Sequence, residues 1–288
     1  MRYRIVFVWV VICVMWLAKS AGAHHVSGHG SRSGNGIASL GSFNPISSQS
    51  RRPETFLDYS FNVDRLDGSL GYVLIHQWSG EYSFRRRFSV GGRIPLLSIR
   101  ENFLPDTDGF GDLAISFKAL VGEESRKGFI LNAGSEVSFP TGSESKGTGS
   151  GSLMLAPFIS LSKAFKPISL FFALGSTLAL ENPISPSLDY SASVMLPLVT
   201  GALPLEMLMA LQGSTVVASR TFTEGSTKVY FKPALALHLT QKTLATFGAK
   251  ISVIDTWVVK SGVTLSRLST VPLGDVEAGF VFDINYSF

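Results

Sequence analysis

The residues able to do chemistry are few and unevenly placed. His24, His25 and His29 cluster near the start of the chain, while His76 and His238 stand alone. Imidazoles beside a free N-terminal amine at His24 can take copper, nickel or zinc. No carboxylate or cysteine completes that set, so a polar lead-in is the plainer account. His76 lies in Ile75-His76-Gln77-Trp78-Ser79, near a serine, but a hydrolase also needs a nucleophile motif and an orienting group, and neither surrounds Ser79. His238 alternates with Leu237 and Leu239 and is expected to face the same way as other polar residues of its segment. The glycine-rich stretches lack the Gly-Lys-Ser/Thr of a phosphate loop, and no dinucleotide fingerprint is present. The expectation is no enzyme and no cofactor.

A second group is more regular. Arg85, Arg87, Lys118, Glu136, Lys232 and Lys250 each interrupt an apolar run at every second position. On a strand that spacing puts them all on one face. They carry function only if the strands that hold them enclose a wet interior, so the elements decide their meaning.

The clearest element is the last one. Gly274 to Phe288 reads GDVEAGFVFDINYSF, with Val276, Ala278, Phe280, Phe282, Ile284, Tyr286 and Phe288 at alternate positions. A strand with so apolar a face is a liability as a soluble edge, yet it suits the closing strand of a membrane barrel. A terminal Phe preceded by alternating aromatics also resembles the signal that bacterial barrel-assembly machinery recognises. At the other end, Arg2 and Arg4 precede the apolar run Ile5 to Ala18, and Ala21 and Ala23 form a small-x-small cleavage pattern. Residues 1–23 are expected to be a secretory leader. Cys13, the sole cysteine, falls inside it.

Composition agrees with export into a membrane. With Arg2, Arg4 and Lys19 gone from the 25 basic residues, 22 stand against 21 acidic ones, so nothing favours nucleic acid as a partner. Charged residues are 16% of the chain, and Gly and Phe number 28 and 21, which is apolar for a soluble protein of this length. After the leader no uninterrupted apolar stretch reaches the ~20 residues of a spanning helix. Val194 to Leu211 comes nearest, but Pro197, Gly201, Pro204 and Glu206 break it, and it reads as two strand ends around Thr200-Gly201-Ala202.

Residues 24–54 are Gly-, Ser- and His-rich and are expected to form a flexible periplasmic arm. From Thr55 the period becomes two. Tyr59 to Val63, Glu81 to Val90, Leu113 to Val121 and Leu131 to Phe139 alternate clearly, and further candidates follow to the closing strand. At roughly 20 residues per strand and connection, residues 55–288 make about twelve strands, with ten or fourteen as the bounds. The expected fold is all-β, a transmembrane antiparallel β-barrel.

Gly109-Phe110-Gly111-Asp112-Leu113, then Val137-Ser138-Phe139-Pro140-Thr141-Gly142, the loop containing Gly147-Thr148-Gly149-Ser150, and Ser162-Lys163-Ala164-Phe165 carry a family likeness. Together they resemble the transporter-like outer-membrane family named for the MetA pathway of phenol degradation. That resemblance implies an outer-membrane barrel that lets small molecules, hydrophobic or aromatic compounds among them, cross the membrane. It supplies no binding residues.

Two function classes follow. One is a passive outer-membrane channel whose selectivity comes from Arg85, Arg87, Lys118, Glu136, Lys232 and Lys250 in the lumen, the same charges being equally able to brace the wall. The other is a non-conducting anchor whose His-containing arm meets a periplasmic partner or a metal.

Overall fold

The computed structural model describes residues 52–65, 71–85, 87–101, 106–124, 128–165, 167–180, 186–216, 224–259, 264–267 and 278–288. The expected leader, most of the arm and the histidines His24, His25 and His29 lie outside the described residues.

Alternating side chains settle into strands because each face then has its own solvent. The first half of the wall is β1 (Phe56–Arg65), β2 (Gly71–Phe84), β3 (Phe88–Glu101), β4 (Thr107–Phe110), β5 (Leu113–Glu124), β6 (Phe129–Phe139) and β7 (Met154–Phe165). The second half is β8 (Ile168–Ala179), β9 (Ser187–Val199), β10 (Leu205–Val216), β11 (Glu224–His238), β12 (Thr243–Val259), β13 (Thr264–Arg267) and β14 (Ala278–Ser287). Two of these are short pieces of longer runs. β4 and β5 lie end to end along β3, and β13 and β14 lie end to end along β12.

Twelve strand positions therefore make the wall, each antiparallel to its neighbours. β14 pairs with both β12 and β1, Phe282 standing opposite Phe247 on one side and Phe61 on the other. The sheet is thus closed, which removes the unpaired edge that lipid would not tolerate. Among the described residues no helix is long and apolar enough to cross a membrane.

The outer face is apolar. Trp78, Ile94, Ile115, Phe172, Leu211, Phe247 and Phe280 are all exposed. Aromatic pairs gather toward the rim that holds both ends of the barrel: Phe84 with Phe88, Phe88 with Phe117, and Tyr286 with Phe288. The inner face carries Ser60, Gln77, Ser89, Asn132, Ser160, Ser191, Gln212 and Asp283, all buried. Two inner patches are apolar, one formed by Val73 and Ile75 of β2 with Leu97 and Ile99 of β3, the other by Phe158 of β7 with Ala173 of β8.

At the rim of the chain ends, Phe288 N–H donates to the Thr55 carbonyl at 3.0 Å. Turns there are short, as at residues 85–87 and 239–242, whereas the opposite rim carries the connection 140–153. In such barrels short turns are periplasmic and longer loops extracellular.

One expected strand is corrected. Glu81 to Val90 is not a single strand; it is the end of β2, a turn and the start of β3, which pair Phe84 with Phe88. Arg85 sits in that turn at φ 56° and Arg87 follows it, both exposed. They do not line the lumen. A connection of three residues returns the chain with its parity intact, so Phe84 and Phe88 both face outward and the alternation passes through the turn unbroken. The Val194 to Leu211 stretch is β9, a turn and β10.

Candidate functional site: the charged inner wall

The inner wall carries its charges in two regions. In the first, β2, β3, β5 and β6 each contribute one. Lys118 Nζ lies 2.7 Å from Glu81 Oε1, and both side chains are almost wholly buried. Arg93 Nη2 donates to Glu136 Oε1 at 2.7 Å and lies 3.4 Å from Ser138 Oγ. The register explains the diagonal reach: Glu81 faces Gly91, Gly91 faces Ser116, and Ser116 faces Glu136. Gly91 leaves the space across which Lys118 meets Glu81, since a Cβ there would stand 2.7 Å from Ser116 Oγ. Four charges thus form two neutral pairs.

The second region spans β11, β12, β14 and β1. Phe231 pairs with Ile251 and Ala234 with Gly248, so Lys232 and Lys250 face each other across one strand pair. Like charges placed directly opposite repel. Lys250 is neutralised by Asp64, its Nζ 2.9 Å from Oδ2, and lies 4.3 Å from the Tyr230 ring centroid. That ion pair passes over Gly279, the strand position between its two ends. Lys232 is different: among the described residues no carboxylate stands at ion-pair distance from it. Its side chain is half-buried.

Of the six charges singled out by spacing, four lie on the inner wall, namely Lys118, Glu136, Lys232 and Lys250, while Arg85 and Arg87 stand in a turn. Three partners, Glu81, Arg93 and Asp64, were missed as site residues. Their signal was present: Arg93 falls on the inward series Ser89, Gly91, Arg93 and Pro95, but a segment with Pro95 and two glycines shows little apolar alternation.

The isolated histidines also receive places. His76 is mid-strand on the outer face, sharing a 2.7 Å hydrogen bond with Tyr59 Oη, its ring centroid 4.7 Å from that of Phe61. Ser79 faces inward and donates to Asp58 Oδ2 at 3.2 Å, so His76 and Ser79 are on opposite faces and form no nucleophile–base pair. His238 Nε2 lies 3.2 Å from Glu206 Oε2 near the periplasmic rim. Among the described residues no group of three metal-binding side chains comes together. The proposed metal histidines are outside those residues.

No family model matches the sequence, and no curated protein does. Solved structures do. A COG4313 outer membrane channel from Pseudomonas putida F1 matches with a TM-score of 0.60 at 12% identity, over 85% of this chain and 99% of that one. A KdgM porin in complex with disordered oligogalacturonate matches with a TM-score of 0.50 at 8% identity, over 81% and 99%. The NanC porin matches with a TM-score of 0.48 at 10% identity, over 81% and 98%. At these identities the likeness is one of fold, and by fold the chain is a closed, porin-like outer-membrane β-barrel.

Proposed function

We propose that the protein is an outer-membrane channel through which small solutes pass passively, hydrophobic or aromatic ones among them, and that it has no catalytic role. The observation that carries this reading is the division of the closed wall into an apolar outer face and an inner face that is mostly hydroxyl, amide and charged groups, with apolar patches among them. Such a wall holds a wet interior across lipid. The resemblance of the Gly109 to Phe165 motifs to the MetA-pathway family supports the solute class. Of the inner charges, Lys118, Glu136 and Lys250 brace the wall in ion pairs, and Lys232, with no carboxylate at ion-pair distance among the described residues, is the amine left to meet a passing solute.

A second reading, a non-conducting anchor, is favoured by how tightly parts of the inner wall are packed: Ser89, Asn132, Ser160 and Gln212 are at most 1% exposed. In that reading the arm with His24, His25 and His29 would meet a partner or metal. In either case the closing strand, with Phe280, Phe282, Tyr286 and Phe288 outward, is the segment that assembly machinery would engage.

Proteoliposome swelling tests the choice. Vesicles holding the refolded protein should swell in isosmotic small phenolic or sugar solutes faster than empty vesicles. Swelling equal to that of empty vesicles, with the barrel folded, favours the anchor.

A further inference from the structure

The extracellular connection 140–153 is tied to the wall at one break. β4 ends at Phe110 and β5 begins at Leu113, leaving Gly111-Asp112 between them. Asp112 shares the inward series of Ala114, Ser116 and Lys118, and it is buried, so its carboxylate points to the lumen side. Both of its oxygens are used by the connection. Gly142 N–H donates to Oδ1 at 3.0 Å, and Ser150 N–H donates to Oδ2 at 2.7 Å. One carboxylate therefore closes the loop from both of its legs, through hydrogen bonds strengthened by charge.

Neighbouring contacts fix the same place. Thr141 Oγ1 donates to the Gly111 carbonyl at 3.1 Å and accepts from Leu113 N–H at 2.9 Å. Ser143 and Thr148 bond each other three times across the loop: Thr148 N–H to the Ser143 carbonyl and Ser143 N–H to Thr148 Oγ1, both at 3.0 Å, and Thr148 Oγ1 to the Ser143 carbonyl at 3.4 Å. Thr148 is buried against Gly109, where a Cβ would come 3.3 Å from its Oγ1. A Cβ on Gly111 would strike Leu97 at 2.5 Å, and Leu97 belongs to an inner apolar patch. The two legs cross so closely that a Cβ on Gly149 would stand 2.5 Å from the Gly142 carbonyl carbon. Between residues 142 and 150 what remains exposed is the tip, Glu144, Ser145 and Lys146, with the Glu144 carboxylate folded back against Gly151.

We infer that residues 142–150 form a fixed constriction on the lumen side of the extracellular mouth, latched by Asp112, whose tip charges Glu144 and Lys146 select among solutes arriving there. This rests on the channel reading and adds a loop that narrows the channel from its extracellular side. Asp112 is a positioning residue; the tip is what a solute meets. Because one side chain holds a backbone N–H on each leg, removing the carboxylate loosens both legs together and leaves the loop to the Thr141 and Thr148 contacts.

The experiment compares the full mature chain with Asp112→Ala, Asp112→Asn and Lys146→Glu in planar bilayers, and follows tryptic cleavage after Lys146 in the folded barrels. Asp112→Ala should raise unit conductance and speed cleavage, because loosening of the legs opens the loop. Asp112→Asn, which keeps the size and one acceptor, should fall between and remains informative if Asp112→Ala does not fold. Lys146→Glu should move the reversal potential toward cation preference. A conducting parent with conductance, selectivity and cleavage unchanged in all variants overturns the inference and leaves the channel reading standing. Silence from parent and variants alike, with every barrel folded, overturns the channel reading and the constriction with it.

Discussion

Two regions of the inner wall use the same residue types to different ends. Between β2 and β6, Glu81, Lys118, Arg93 and Glu136 cancel in buried pairs. Between β11 and β1, two lysines share one close carboxylate, that of Asp64, and among the described residues Lys232 has none at ion-pair distance. A buried pair presents almost no field to a passing ion, whereas a half-buried ammonium without a close carboxylate does. The difference teaches that the neighbouring strands, and not the alternation, decide whether an inward charge on a barrel strand is cancelled.

The largest expected effect breaks the first region. Glu136→Ala takes the carboxylate away from the buried Arg93 guanidinium, and loss of one member of a buried pair costs about 3 kcal/mol. Urea unfolding of the folded barrel, followed by the loss of heat-modifiable migration, should show it. A stability equal to that of the parent would mean that the Arg93 guanidinium finds water in the lumen.

Next comes a sharpening of the same region. Lys118→Met leaves Glu81 uncompensated, while Lys118→Met with Glu81→Gln removes both charges. The double variant should be more stable than the single one, since replacing both partners is often close to neutral. If the two are equally destabilised, packing rather than charge holds that corner.

The second region should respond in the opposite manner. Lys232→Gln removes a repulsion with Lys250, so stability should change within about 0.5 kcal/mol while reversal-potential measurements move toward cations. A large loss of stability with unaltered selectivity would make Lys232 a brace like Lys118.

The smallest effect lies outside both regions and serves as a control. Arg100, Asp106 and Asp108 form an exposed ion-pair group on the outer side of β3 and β4, above the apolar band. The Ser98 hydroxyl, then Arg100, hold the Asp108 carboxyl below its ordinary range. A lowered folded pKa adds stability that is complete above the ordinary carboxylate range and is lost as pH falls through the folded value. Being exposed, it should add little. Acid titration of Asp108→Asn should differ from the parent only slightly, and only at acid pH.

The extent to which this was legible in the sequence follows from which face each residue serves. The closing strand was plain because Phe280, Phe282, Ile284, Tyr286 and Phe288 all meet lipid, and lipid rewards only apolar side chains. The number of strand positions followed from the same rhythm. The β2–β3 turn was hidden because Arg85, Arg86 and Arg87 preserve parity between Phe84 and Phe88. The ion pairs were hidden for another reason: Lys118 with Glu81, and Lys250 with Asp64, depend on which strands lie side by side and in what register. Alternation reports the face a residue occupies, not its neighbour. The Asp112 latch was likewise half visible. Gly109 and Gly111 beside it suit a tight turn, but only the fold brings Gly142 and Ser150 to one carboxylate.

The central claim is that the mature barrel conducts. Single-channel recording in planar bilayers, with the refolded chain from residue 24 and with a form lacking residues 24–52, tests it most directly. The account predicts discrete, stepwise conductance from the full mature chain, with an ion preference that Lys232→Gln shifts. Silence from both forms, with the barrel shown to be folded, would contradict it and leave the anchor.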